Sequence, residues 1–296
     1  MAKENYAIIC NPKSGKGISL KVLPQFEAYL KSRYITYEVF TGELPGTLSG
    51  FTCLVIMGGD GTLNYTINHF KTISIPIALL RCGTGNDYTN LFVGSASMQK
   101  QFEIACGNHM EAVDAGLCNG KLFINGVGIG FDGWVVKKNL GKRFFSGQLA
   151  YLSTILSLLL FYKESEVTLE IDGITSMHNI FMLSIANGRT YGGGFKVAPM
   201  ALPGDGLLDF VGIRKISLWN RCRYLPVIEK GKHLHLPFVM YHQAKNIKVS
   251  CKHKLQAQLE GEWMESEHFD IEILPGAYRI KTEHGYVSLS EVENYL

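Results

Sequence analysis

The sequence is short of three things: paired cysteines, long apolar runs and excess charge of one sign. Its seven cysteines (Cys10, Cys53, Cys82, Cys106, Cys118, Cys222 and Cys251) are odd in number and dispersed, with no CxxC. That spacing excludes a disulfide scaffold and a cysteine zinc site, and it fits a reducing cytosol. The longest apolar stretch, residues 149–162 (LAYLSTILSLLLFY), is shorter than the roughly 20 residues a helix needs to cross a bilayer. No membrane span is expected. A net charge of +3 lacks the basic stripe of a nucleic-acid binder, so none is expected as a partner. The opening MAKENYAIIC has no basic stretch followed by a long apolar one, and a secretory signal is not expected.

What is present suits two ordinary domains. At roughly 150 residues per domain, 296 residues give two. Hydrophobic residues at 46% and charged residues at 19% supply normal cores. Glycine, at 32 against 9 prolines, points to tight turns and close backbone approaches.

The first third alternates two textures. Residues 6–10 form an apolar run that ends in NPKSGKG, residues 11–17. Residues 18–31 place Leu20, Leu23, Phe26, Ala28 and Leu30 at helical spacing, with Pro24 expected to shorten the regular part. ITYEVF at 35–40 reads as a strand, and CLVIM at 53–57 as one buried on both faces. It runs into GGDGTLN, residues 58–64, and a helical TINHF; another apolar strand follows at 75–80. Such alternation predicts βαβ units and a parallel sheet.

After about residue 115 the pattern becomes strand-rich. EVTLEI at 166–171 alternates with period two, and Asp172-Gly173 supplies a hairpin turn. Short strands are expected at 180–186, 207–213, 246–250, 255–259 and 269–274, with helices only near 145–162 and 217–230. This half reads as a mostly antiparallel β-domain. The division adopted is 1–118 and 119–281, with 282–296 a C-terminal segment that could pack back on the first domain.

Three polar glycine loops follow three apolar strands: residues 11–17, 58–64 and 83–87 (GTGND). At the carboxyl edge of an α/β sheet, glycines let backbone N–H groups approach an anion, and a helix N-terminus adds favourable charge. Lys13, Lys16, Ser14, Thr62 and Thr84 add donors, and together these suit a polyphosphate. The first loop, taken alone, reads equally well as a turn, and it lacks the GxxxxGK[ST] of a P-loop. NGVGIGF at 125–131 has G-x-G-x-G spacing and no evident strand–helix context, a weak dinucleotide signal.

The order NPKSGKG, GGDGTLN, GTGNDYTN, INGVGIGFDG, ANGRTYGGGFKVAPMALPGDGLLD, LEGE and FDIEILPGAYRI resembles the diacylglycerol kinase catalytic family, in its bacterial soluble lipid kinase form related to sphingosine and ceramide kinases. GGDGT is shared with NAD kinases and phosphofructokinases, whereas GTGND with APMALPGDGLLD is more specific. The resemblance implies an α/β N-terminal domain with a parallel sheet, a C-terminal β-sandwich, and ATP and Mg2+ as cofactors. By motif, Asn11, Pro12, Lys13, Ser14 and Gly15 would hold the nucleotide, with Gly58, Gly59, Asp60, Gly61, Thr62, Leu63 and Asn64. Thr41 and Thr84 would join them. Leu202, Asp205 and Leu207 would form a magnesium site from one carboxylate and two carbonyls, although Asp205 also suits an ordinary turn. The catalytic set implied is Glu262 as base, Asp60 in a metal–water network and Glu260.

Glu260 stands where the family has Asp, Tyr65 where it has Glu, and Arg81-Cys82 where it commonly has Pro-Leu. Arg81 could pair with a phosphate or an acid, while Asp132 and Asn187 are assigned structural or peripheral roles. His233, His235 and His242 are too loosely spaced for zinc.

The expected function is ATP-dependent phosphorylation of a lipid with a free hydroxyl, diacylglycerol or a related lipid, by a cytoplasmic enzyme in transient contact with a membrane surface. A homodimer stays open. Residues 149–162 read as a buried core helix or as a helix at a lipid-binding mouth, flanked by Lys137, Lys138, Lys142 and Arg143. The alternatives are an NAD kinase-like enzyme and a non-catalytic nucleotide or lipid sensor.

Overall fold

The computed structural model describes residues 3–140 and 158–283, so most of the apolar stretch 149–162 and of the C-terminal segment 282–296 lies outside the described residues. In the first unit, β1 (Asn5–Cys10) is flanked by β2 (Thr36–Thr41) and β3 (Cys53–Gly58), and β4 (Ile77–Arg81) lies beyond β3. All four are parallel. Each residue of β3 is buried, as its unbroken apolar run requires of a strand covered on both faces.

The helix α1 (Ile18–Ser32) runs through Pro24 without a break, against the expectation that Pro24 would shorten it. Pro24 is exposed and so is Leu20, whose carbonyl loses its N–H partner where water can replace it. Val22, Phe26 and Leu30 pin the opposite face into the core with the β-strands. Three further helices complete this half: α2 (Asp60–Phe70), the short α3 (Asn90–Val93) and α4 (Met98–Cys106).

The second half is antiparallel. Its strands are β5 (Met110–Cys118), β6 (Lys121–Phe123), β7 (Gly126–Gly130), β8 (Ser165–Ile171), β9 (Ile174–Ala186), β10 (Leu208–Arg214), β11 (Val239–Ala244), β12 (Asn246–Leu259) and β13 (Glu262–Lys281). The ladder runs β11-β10-β9-β7-β12-β13, and β8 pairs with both β9 and β12. Asp172-Gly173 makes the expected two-residue turn: both residues have positive φ, and Ile171 pairs with Ile174. Phe123, Phe210, Phe269 and a run of Ile, Leu and Val fill the core, giving a β-sandwich.

A helix the sequence reading missed, α5 (Phe131–Asn139), follows β7 directly, so NGVGIGF does have a strand–helix context. Its glycines serve packing. A Cβ on Gly128 would fall on the Asp132 carboxylate, leaving no cradle open to a dinucleotide. The helix α6 (Leu218–Glu229) matches expectation.

The described residues divide into two compact units, one of residues 3–114 with 275–283, the other of 115–140 with 158–274. The first break thus falls at Asp114, and the last part of β13 belongs with the first unit instead of the second. Local bonds explain this. Asp114 Oδ1 accepts the Gly276 N–H at 2.7 Å, Tyr278 donates to the Lys71 carbonyl, and Ile280 pairs in parallel with Ile77 of β4. All seven cysteines are free, and burial pushes the Cys53 and Cys82 thiols up to about 12.

The helix α5 lies so close to β12 that a Cβ on Gly133 would sit 2.2 Å from backbone atoms of Ala257. Gly133→Ala is therefore expected to destabilise the protein by at least about 2 kcal/mol, measured by urea unfolding, because the clash is with main chain that cannot step aside.

Candidate functional site

The carboxyl ends of β1, β3 and β4 carry the three glycine loops, and main-chain bonds lock them together. The Asn11 N–H donates to the Met57 carbonyl, the Cys82 N–H to the Gly58 carbonyl, and the Asp60 N–H to the Gly85 carbonyl. The approach is closest between Gly59 and Gly83, where a Cβ on Gly83 would stand 2.3 Å from the Gly59 Cα. No side chain fits there, so the second and third loops meet as bare backbone.

Thr62 ties in the first loop. Its buried hydroxyl accepts from the Asn11 amide at 2.9 Å and lies 3.4 Å from the Ser14 hydroxyl. Asn11 Oδ1 in turn accepts the Lys13 N–H, while Lys13 itself is exposed. Pro12 is half-buried, and Gly15 presses on the Cys82 carbonyl. Thr41 closes β2 opposite Cys10, beside the root of this loop, and is exposed. Thr84 is exposed at the tip of GTGND, whose turn Asn86 pins by bonding Gly83 at both N–H and carbonyl. Leu63 and Asn64 point inward: Leu63 is in the core, and the Asn64 side chain accepts from Asn68.

Asp60 opens α2, where a carboxylate is favoured by the helix dipole. Its Oδ1 accepts from the Thr89 N–H and hydroxyl. Burial, and secondarily the charge of Asp87, raises its carboxyl above the usual range. The repulsion between the two carboxylates favours a cation beside them.

Arg81 makes no ion pair with another described residue. Its guanidinium bonds the Asn90 side chain and the carbonyls of Gly94 and Ala96, clamping the segment after GTGND.

In the second unit, Glu260 and Gly261 form the two-residue turn between β12 and β13, with Leu259 paired to Glu262. Both turn residues have positive φ, Glu260 at 53° and Gly261 at 83°. Asn or Asp usually fills the first of these positions, and a Glu there is strained. The compensation is visible: Glu260 Oε1 accepts three backbone N–H groups, from Ile124 at 2.8 Å, Asn125 at 2.6 Å and Gly126 at 3.3 Å. Asn187 holds the same corner by donating its amide to the Ile124 carbonyl, and its backbone N–H to that of Asn125. Glu260 is thus a structural clamp. Glu262, one residue beyond the turn, is exposed, and its side chain makes no hydrogen bond or ion pair with another described residue.

Behind the turn, Gln258 donates to Asp132 Oδ2 at 2.9 Å and accepts the Gly261 N–H at 2.7 Å. Gln258 was missed by sequence reasoning; a buried Gln in LQAQLEGE beside the acids was the available signal.

Asp205 Oδ1 accepts the Leu207 N–H and Oδ2 accepts from Gln243. Nearby Asp209 is fully buried and bonded by the Tyr241 hydroxyl at 2.6 Å, and its second oxygen has no hydrogen-bond partner among the described residues. Burial pushes its carboxyl up to about 7, with repulsion from Asp205 adding to the shift. Arg189 offsets part of the charge of the two acids, and the Asp205 carboxylate with the carbonyls of Leu202 and Leu207 is the kind of hard-oxygen set that would suit magnesium. Among the described residues no cluster of three His, Cys, Asp or Glu side chains forms, so main-chain oxygens and water would complete the shell.

Burial lifts the Asp132 carboxyl to about 6, with the Gln258 bond opposing. A carboxyl raised in the folded state favours folding while protonated, and that contribution is lost as pH rises through about 6. Asp132→Asn keeps the acceptor for Gln258 and removes the titration. It is expected to be more stable than the parent by about 1 kcal/mol at pH 8 and by less at pH 5, measured by urea unfolding.

Comparison with known proteins agrees with both halves. Residues 5–118 match the diacylglycerol kinase catalytic domain, and residues 125–282 match the YegS C-terminal NAD kinase beta sandwich-like domain. A diacylglycerol kinase of Bacillus subtilis is 28% identical over 86% of this chain and 89% of its own. One from Mycobacterium tuberculosis is 26% identical over 94% and 95%. A crystal structure of a diacylglycerol kinase from Bacillus anthracis superposes with a TM-score of 0.74 at 19% identity, covering 96% of this chain and 98% of that one. The chain belongs to the bacterial lipid kinase family that joins a diacylglycerol kinase catalytic domain to a YegS-type β-sandwich.

Proposed function

We propose that the chain transfers the γ-phosphate of ATP to the hydroxyl of a lipid, diacylglycerol or a related lipid. The observation that carries this reading is the backbone-to-backbone packing of the GGDGT and GTGND loops, which sets the exposed Gly61, Thr84 and Gly85 at the start of α2, where backbone and helix dipole suit a polyphosphate. Asn11 to Gly15, Thr41, Gly58 to Asn64 and Thr84 hold the nucleotide, Leu63 and Asn64 through the backbone they anchor. Asp60 organises a metal–water network. Leu202, Asp205 and Leu207 hold magnesium. Magnesium at that structural site would staple the loop around Asp205, and magnesium carried with the nucleotide at the glycine loops would supply positive charge against the polyphosphate.

Glu262 accepts the proton of the lipid hydroxyl as it attacks the γ-phosphorus in line with the departing ADP oxygen. Glu260 contributes by fixing the turn that presents Glu262. In phosphoryl transfer positioning carries much of the rate, so the clamp matters without touching substrate. The acyl chains belong to the second unit. The enzyme works in a reducing compartment, which suits its free thiols, and visits the membrane surface.

The test is labelled ATP with a lipid extract, followed by identification of the labelled lipid. Glu262→Gln is expected to lower turnover by roughly 10²- to 10⁴-fold while leaving ATP binding intact. Glu260→Gln should lower the melting temperature as well as turnover, since it weakens charge-assisted bonds to three N–H groups. Unchanged turnover in Glu262→Gln rules out its assignment as base.

Gly61 gives a cleaner probe of the nucleotide. A Cβ there meets nothing within 4 Å of the protein, and Gly61 lies inside α2. Gly61→Ala is expected to stabilise the fold by about 0.5–1 kcal/mol yet weaken ATP binding by calorimetry, because the space before it is the ligand's. Undiminished ATP affinity would place the phosphates elsewhere.

A further inference from the structure

The turn that leads into Glu262 is anchored at two consecutive residues, and the Glu260 clamp is only the first anchor. The second is Gln258, a buried residue of β12 that stands opposite Gly128 of β7 and Trp263 of β13. Its Oε1 accepts the Gly261 N–H at 2.7 Å, and its Nε2 donates to Asp132 Oδ2 at 2.9 Å. Asp132 belongs to α5, and its carboxylate fills the space that a Cβ on Gly128 would take.

The Gln258 amide has one orientation open to it. A main-chain N–H only donates and an ionised carboxylate only accepts, so Oε1 must face Gly261 and Nε2 must face Asp132. The helix at the far end is itself fixed. Gly133 brings α5 against the main chain of Gln256 and Ala257, which leaves Asp132 little freedom to move.

The other neighbour of Glu262 is held as well. Trp263 donates its Nε1–H to Gln256 Oε1 at 2.8 Å, and Lys137 of α5 lies 5.1 Å from the centre of its ring. Glu262 therefore sits between Gly261 and Trp263, each tied by a glutamine of β12. A base must stand within hydrogen-bond reach of the proton it takes, and a misplacement of about 1 Å can cost roughly 10²-fold in rate.

We propose that Gln258 is a positioning residue for Glu262, carrying the placement of α5, through Asp132, onto the turn that presents the base. The proposal rests on the proposed function, in which Glu262 takes the proton of the lipid hydroxyl. Gln258 takes no proton itself and acts through the Gly261 N–H.

The experiment measures turnover of labelled ATP with the lipid extract across a range of ATP concentrations at pH 8. Gln258→Leu, without polar ends, is expected to lower kcat roughly 10²-fold and leave the KM for ATP unchanged. Gln258→Glu sets a second carboxylate against Asp132 and should lose kcat in the same way. Joined to Asp132→Asn it exchanges acid and amide: the new amide donates to the new carboxylate, which still accepts from Gly261. That exchanged pair is expected to recover kcat. In the Glu262→Gln background, Gln258→Leu should cost little more, because the group it positions is already gone.

A loss in that background as large as in the parent means that Gln258 acts through the fold at large, and it overturns the proposal. So does an exchanged pair that keeps the parent's melting temperature and stays inactive. Full turnover in Glu262→Gln removes the base from the proposed function and this inference with it. Full turnover in Gln258→Leu beside an inactive Glu262→Gln overturns this inference alone.

Discussion

The contact on which the first unit depends is one of main chain with main chain, where Gly59 meets Gly83 with no room for a methyl group on either. Everything chemical in that half follows from it. Because the loops after β3 and β4 touch as bare backbone, the Asp60 N–H reaches the Gly85 carbonyl and α2 starts at the sheet edge. Thr62 then faces Asn11, and the first loop is drawn onto the other two. A glycine surplus that composition reads only as turns is, at these positions, the condition for three strand ends to converge.

The second unit solves a different problem. An acid pair separated by one glycine must be held in a tight turn, and Glu260 takes a backbone conformation that its side chain disfavours. Three N–H groups converging on one carboxylate oxygen oppose that strain with charge-assisted bonds, each worth about 1.5–3 kcal/mol. The arrangement also divides labour between two neighbouring glutamates. Glu260 is consumed by structure and Glu262 is left facing outward. The extra methylene relative to Asp reads here as reach toward the corner at Ile124 to Gly126.

Much of the architecture was legible in the sequence, for local reasons. CLVIM could only be a strand covered on both faces, and Asp172-Gly173 could hardly be anything but a hairpin turn. The errors have local causes as well. FDGWVVKKN has almost no apolar periodicity, so α5 is held by its contact with β12 and not by a pattern a reader can see. Pro24 was weighed as a helix breaker, although exposed prolines are tolerated when the opposite face is well anchored. The site was legible as motifs but not as roles. Arg81 looked available for phosphate, and only the path of the chain after GTGND shows that it is spent on the Gly94 and Ala96 carbonyls. Glu260 was illegible for the same reason, since its partners are remote in sequence.

That remoteness bears on how the acid pair comes into being. The turn at Glu260-Gly261 links adjacent strands and can form on the microsecond scale typical of hairpins. Its clamp closes only when segments 134 to 136 positions apart have met. Contacts of such long range are entropically late to form. The orientation of Glu262 is therefore a property that the β-sandwich acquires as a whole: a chain still assembling already has Glu260 in its turn and Glu262 beside it, but not yet the geometry that separates their tasks.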